Sequence, residues 1–162
     1  MAQTDLFRRE SQRALPIWLP IVAAALLLAR ILVPAHEPKP IAGADDLVEW
    51  QPLARASALA QATHKPILYE FSAAWCGPCQ RLEQDVFRNP TLAAKINERF
   101  VPVRVIDRQQ EDGVNAPPVA ELESRFAVRA FPTLIIADAN GVAATRMEGY
   151  RDAEAFERFI EQ

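Results

Sequence analysis

At 162 residues, half of them apolar and with a net charge of −3, the chain has material for one compact domain and an appendage. Residues 36–162 carry 14 basic against 19 acidic side chains, and an acidic domain without a basic stripe argues against nucleic acid as a partner. Two cysteines leave no framework of several disulfides from which a compartment can be read.

The N-terminus supplies that information instead. Residues 1–13 place Arg8, Arg9 and Arg13 against Asp5 and Glu10. Ala14 to Val33, ALPIWLPIVAAALLLARILV, then runs for twenty residues with one charge, Arg30. At about 1.5 Å per helical residue this covers about 30 Å, the hydrocarbon thickness of a bilayer. Arg30 lies near the far end, where a long side chain snorkels to the interface, and Trp18, Pro16 and Pro20 lie on the entry side. The arginines ahead of the span keep the N-terminus in the cytoplasm by the positive-inside rule, which exports residues 36–162. A signal peptide cleaved after Ala35, in Val33-Pro34-Ala35, is the alternative, although the apolar run is longer than a usual signal core. Either reading exports the rest. Pro38, Pro40 and Gly43 make the following stretch a short, stiff linker. The expected division is therefore a cytoplasmic N-terminus over 1–13, a transmembrane signal-anchor over 14–33, a linker over 34–46 and a domain over 47–162.

Within the domain, Leu53, Ala56, Leu59, Ala60 and Thr63 recur at helical spacing from Pro52 onward, and Lys65-Pro66 ends that helix. Ile67 to Ser72 is an apolar run suited to a buried strand. A helix begins around Cys76 and continues through Leu82 and Val86, with Pro78 tolerated in its first turn. Asn89-Pro90 breaks the chain and starts another helix, and Val101 to Ile106 forms a second strand. Residues 108–117, RQQEDGVNAP, read as a polar loop. Pro118 to Phe126 is a helix with Val119, Leu122 and Phe126 on one face. Thr133 to Ala137 and Val142 to Met147 pair through a turn at Asp138-Ala139-Asn140-Gly141. Asp152 to Ile160 closes the domain, with Ala155, Phe156, Phe159 and Ile160 turned inward. Strands separated by helices imply parallel pairing, and the last hairpin adds an antiparallel edge. The expected class is α/β, a central mixed sheet with helices on both faces.

Both cysteines lie in Trp75-Cys76-Gly77-Pro78-Cys79. Two intervening residues at a helix start bring the sulfurs within bonding distance, and the positive helix end favours a thiolate on the first. A thiolate is the species that attacks a disulfide, so the spacing predicts electron exchange with another protein's thiols, with Cys76 as nucleophile and Cys79 as the less exposed resolving thiol. Two plainer readings compete. A structural zinc site needs four ligands, and His36 and His64 are the sole imidazoles to complete one. A purely structural disulfide over so short a loop removes little unfolded-state entropy. Glu70 shares a strand face with Leu68 and Ser72, where desolvation favours the protonated carboxyl. No Gly-x-Gly-x-x-Gly is present, so no nicotinamide or flavin is expected, and no metal.

Trp75 to Cys79 resembles the active site of the thioredoxin family, and the likeness extends over about residues 47–162. The stretch KPILYEFSAAWCGPCQRLEQDVFRNP is similar to the branch containing the C-terminal domain of bacterial thiol:disulfide interchange reductases, through Lys65-Pro66 and Glu83, Val86 and Phe87. Phe131-Pro132-Thr133 matches the family's cis-proline segment, and Gly149 with the closing helix also fits. Glu70 departs from the aspartate common at its position, and loop 108–117 is longer than in the smallest members.

The resemblance implies a thioredoxin-like fold, a cis Pro132 opposite the cysteines, and a Phe131 backbone that pairs with extended substrate. It also implies that Glu70 accepts the proton of Cys79, that Trp75 shields the disulfide and touches substrate, and that Gly77 and Pro78 bias the pair towards reduction. The implied activity is a thiol:disulfide oxidoreductase on the periplasmic side of a bacterial inner membrane, reducing exported proteins with electrons from a membrane thiol reductase. An oxidase or isomerase using the same residues is the alternative, and a non-catalytic anchored binding module is another.

Overall fold

The structure, a computed structural model, describes residues 46–162. Among these no helix is long and apolar enough to cross a membrane. The segments expected over 1–13 and 14–33, and the linker up to residue 45, lie outside the described residues.

A single 3-10 turn, Leu53–Arg55, leads into helix α1, Ala56–Thr63, which presses Ala56 and Ala60 inward. His64 ends it in the left-handed region, with φ 57°, ahead of Lys65-Pro66. Strand β1, Ile67–Ala73, is buried along its whole length. Its alternation sends Ile67, Tyr69 and Phe71 to one face and Leu68 and Glu70 to the other. Helix α2, Gly77–Leu82, continues into a wider π turn at Glu83–Phe87. Helix α3, Pro90–Arg99, has a side-chain cap: Asn89 Oδ1 accepts from the Thr91 and Leu92 amides at 3.0 and 3.3 Å. Strand β2, Val101–Asp107, lies beside β1 in parallel, from Ile67 against Val101 to Ala73 against Asp107.

The segment 108–117, expected as a loop, contains a one-turn helix α4, Gln109–Asp112. The Arg108 guanidinium grips Asp112 one turn on at 2.6 Å, and Gly113 closes the turn at φ 74°. Asn115 pins the rest, its carboxamide donating to Asp107 and, at 2.9 Å, to Glu123. Helix α5 covers Pro117–Arg125, strand β3 Thr133–Ala137, strand β4 Ala143–Glu148 and helix α6 Ala153–Ile160. The β3–β4 turn falls where the sequence placed it: Asp138 Oδ1 accepts from Asn140 and Val142 at 2.9 and 2.8 Å, and Gly141 takes φ 75°. A register shift between Ile136 and Ala137, at the end of β3, precedes that turn. Asp152 caps α6 through the Ala155 amide at 2.7 Å, a bond that holds its carboxyl below the ordinary range.

The strand order is β2-β1-β3-β4. Only the β1–β2 pair is parallel; β3 runs antiparallel to β1, with Phe71 against Thr133, which corrects the expectation of parallel pairing across every helix. The connection explains this. It leaves β2 at Asp107 beside Ala73, and it re-enters β3 beside Phe71, at the same end of the sheet. A crossover that returns to its starting end must reverse the strand direction.

Two apolar layers hold the sheet. Leu68, Leu134 and Ile136 pack under Leu82, Val86, Phe87, Ile96, Phe156 and Phe159 from α2, its π turn, α3 and α6. Ile67, Tyr69, Phe71, Val103 and Ile135 pack under Ala60 of α1, Leu122 of α5 and Phe126, which ends α5. Burying each such side chain contributes about 1.5–3 kcal/mol. Helices thus lie on both faces of a mixed sheet. The end at which β1 stops and β3 starts is where the cysteines fall.

Candidate active site

Strand β1 delivers the chain to the site. After Ala73 the backbone turns, with the Cys76 amide donating to the Ala73 carbonyl at 3.1 Å, and Cys76 becomes the cap of α2. Its sulfur accepts from the Cys79 amide at 3.2 Å, one of the first-turn N–H groups that lack an intrahelical partner. Pro78 sits in that first turn, where its missing N–H costs nothing. Cys76 and Cys79 are joined as a disulfide, with their Cα atoms 5.3 Å apart.

Both cysteines are buried, Cys76 at 2% exposure and Cys79 at 5%, so the expectation that Cys79 is the less exposed of the two does not hold. The Phe131 side chain packs on the cluster of Ala73, Cys76 and Cys79. Trp75 meets Phe131 edge to face while remaining half exposed. The Phe131–Pro132 peptide bond is cis, and the Pro132 carbonyl accepts from the Gly149 amide at 2.7 Å. Trp75, Cys76, Cys79, Phe131 and Pro132 are thus brought to one end of the sheet. Gly77 and Pro78 face solvent between the sulfurs.

Glu70 is 1% exposed on the other side of the pair. Its carboxylate accepts from Arg104 Nε at 2.9 Å. Glu70 and Arg104 are directly opposite in the β1–β2 register. Burial pushes the Glu70 carboxyl above its ordinary range; the Arg104 guanidinium and the Ser72 hydroxyl pull it back, and the Asp46 carboxylate adds to the rise. Glu70 and Cys79 line one cavity of about 290 Å³ together with Gln80, Glu83, Arg104 and Arg108. That volume accommodates several water molecules beside the charged groups of Glu70, Glu83, Arg104 and Arg108.

Glu83 and Arg108 were not singled out as members of the site by sequence reasoning. Glu83 stands four residues after Cys79, hence on the same helical face, and that spacing is the signal that could have found it. Arg108 follows β2 directly, beyond any local pattern. Among the described residues no group of three or more His, Cys, Asp or Glu side chains is arranged to hold a metal ion.

A closed Cys-x-x-Cys disulfide at a helix start, a cis-proline segment packed over it and a buried acid behind it define the thioredoxin class of fold and site. The family model of the thioredoxin-like domain matches residues 53–162, and the chain belongs to that family. It is 25% identical over 114 residues to the thiol:disulfide interchange protein DsbD of Photorhabdus laumondii, covering 69% of this chain and 18% of that protein. The chain therefore spans less than a fifth of that relative's length. A thioredoxin from Thermus thermophilus superposes with a TM-score of 0.59 at 28% identity, covering 71% of this chain and 85% of its own. The DsbD C-terminal domain of Neisseria meningitidis, in its oxidised form, shares the fold with a TM-score of 0.52 at 23% identity, covering 67% and 89%.

Proposed function

We propose that the protein is a thiol:disulfide oxidoreductase that reduces disulfides of exported proteins through the Cys76/Cys79 dithiol. The observation that carries this reading is the cavity in which Cys79 and the buried Glu70 meet, behind a Cys76 sulfur already bonded to a helix-start amide. In the reduced enzyme that amide and the positive helix end stabilise the Cys76 thiolate. The thiolate attacks one sulfur of a substrate disulfide and forms a mixed disulfide, releasing the other substrate sulfur as a thiolate that takes up a proton. Glu70 accepts the Cys79 proton. The Cys79 sulfur then attacks Cys76 Sγ, breaking the mixed bond. The substrate leaves with two electrons gained, and the Cys76–Cys79 disulfide remains, the state this structure shows.

Phe131 and Pro132 offer the backbone against which an extended substrate pairs, and half-exposed Trp75 supplies an apolar contact beside it. Electrons for the next cycle come from a membrane thiol reductase, in keeping with the likeness to DsbD. The twenty-residue apolar run over 14–33 anchors the chain in a bacterial inner membrane, with the domain in the periplasm.

The test is the reduction potential of the Cys76/Cys79 pair in the full chain, equilibrated against glutathione and dithiothreitol buffers. A value near about −270 mV supports a reductase; one near about −120 mV makes the protein an oxidant and reverses the proposed electron flow.

A further inference from the structure

The segment that leads into α1 has no part in the exchange described above, yet it reaches the buried acid. Arg104 Nη1 lies 2.9 Å from Asp46 Oδ2, while its Nε lies 2.9 Å from Glu70 Oε2. All three side chains are out of solvent, at 0% exposure for Asp46, 8% for Arg104 and 2% for Glu70. The guanidinium is stacked 4.3 Å from the Trp50 ring centroid and 5.1 Å from that of Phe87. Trp50 Nε1 donates to the same Asp46 oxygen at 2.7 Å. The segment is pinned after Asp46 by three backbone donors. Leu47 N donates to the Phe87 carbonyl at 3.0 Å, Glu49 N to Asn97 Oδ1 at 2.9 Å and Gln51 N to the Pro102 carbonyl at 2.8 Å.

One guanidinium therefore serves two buried carboxylates through different edges. In a low-dielectric setting a single cation cannot fully compensate two anions, so the ionisation of one carboxylate depends on the hold of the other. We propose that Asp46 is a positioning residue of the redox site, which orients Arg104 and competes with Glu70 for it, so that the segment entering the domain governs the charge on the acid that shares a cavity with Cys79.

The charged and titratable groups that face Glu70 are few. Arg104 comes from β2, Asp46 from the entering segment, Glu83 and Cys79 from the helix across the cavity, and Arg108 from the chain after β2. Asp46 opposes ionisation of Glu70 and Arg104 favours it. Removing the charge of Asp46 leaves Arg104 to Glu70 alone and moves the Glu70 titration to lower pH. The inference rests on Glu70 as the acceptor of the Cys79 proton, and the experiment separates the two.

The experiment is a ¹³C-carboxyl NMR titration of Glu70 in the reduced full chain and in D46N, with E70Q assigning the resonance. Beside it, the pH profile of mixed-disulfide resolution is followed by stopped flow. The expected result is a Glu70 midpoint at lower pH in D46N, with the rise of the resolution rate moved the same way. An unmoved or raised midpoint overturns the proposal. A lowered midpoint with an unmoved rate profile upholds the sharing of Arg104 and retires Glu70 as proton acceptor. A second measurement needs no variant to fold: the Trp50 indole N–H resonance of the wild-type chain titrates with the Glu70 midpoint. An indole resonance that stays flat through that range overturns the proposal.

Discussion

The Trp75 and Phe131 rings meet edge to face, 5.9 Å between centroids and 75° between planes, so a half-exposed indole leans on the phenyl that covers the disulfide.

Phe131→Ala uncovers the pair. A small thiol such as dithiothreitol then reduces Cys76–Cys79 faster, by about tenfold if about 1.4 kcal/mol of the barrier reflects the covering ring. Exchange with a folded protein disulfide slows, because an apolar contact for substrate is lost. Parallel kinetics with the two reductants check this; equal changes for both would show that Phe131 controls neither access nor recognition.

Cys79→Ala leaves Cys76 able to attack and unable to resolve. Mixed disulfides then accumulate on Cys76, visible by non-reducing electrophoresis and mass spectrometry, and turnover is lost. Cys76→Ala accumulates none. Trapping by the second variant instead of the first would exchange the roles of the two sulfurs.

Glu70 gives stability a pH dependence of known sign. Burial holds its carboxyl above the ordinary range, so the folded chain keeps a proton that the unfolded chain has already released. The stability from this source is complete below the range of the unfolded carboxyl and is lost as pH rises through the folded value. Glu70→Gln removes that slope. Urea midpoints of the full chain therefore fall with rising pH in the wild type relative to the variant, and parallel curves would refute the raised carboxyl.

Phe87 is fully buried, 5.0 Å from the Trp50 ring, 6.3 Å from that of Phe156 and stacked on Arg104. Phe87→Ala costs about 3–5 kcal/mol by the lost transfer energy and the cavity left behind. Phe87→Leu, nearer in volume, costs less. Equilibrium denaturation decides; a loss below about 1 kcal/mol for the alanine variant would mean that the core collapses around the gap.

Local chemistry made much of the protein legible in its sequence. The strand β1 alternation separates Glu70 from Tyr69 and Phe71 by face, Asn89 and Asp152 announce helix starts, and Asp138 to Gly141 specifies a turn. The disulfide partners are three residues apart, so their pairing needs nothing beyond one helical turn. The cover over Cys76, the antiparallel course of β3 and the clamp on Glu70 were decided otherwise. Arg104 stands 34 residues from Glu70, and strand register alone places it opposite. Asp46 carried no signal in a polar approach segment. Its role exists because the fold lays that segment against Trp50 and Arg104, where burial turns an ordinary carboxylate into a strong influence. The sequence by itself determined which two sulfurs pair, because one helical turn joins them; the tertiary structure decided what surrounds them, since desolvation and charge pairing arise from contacts that no short stretch of chain contains.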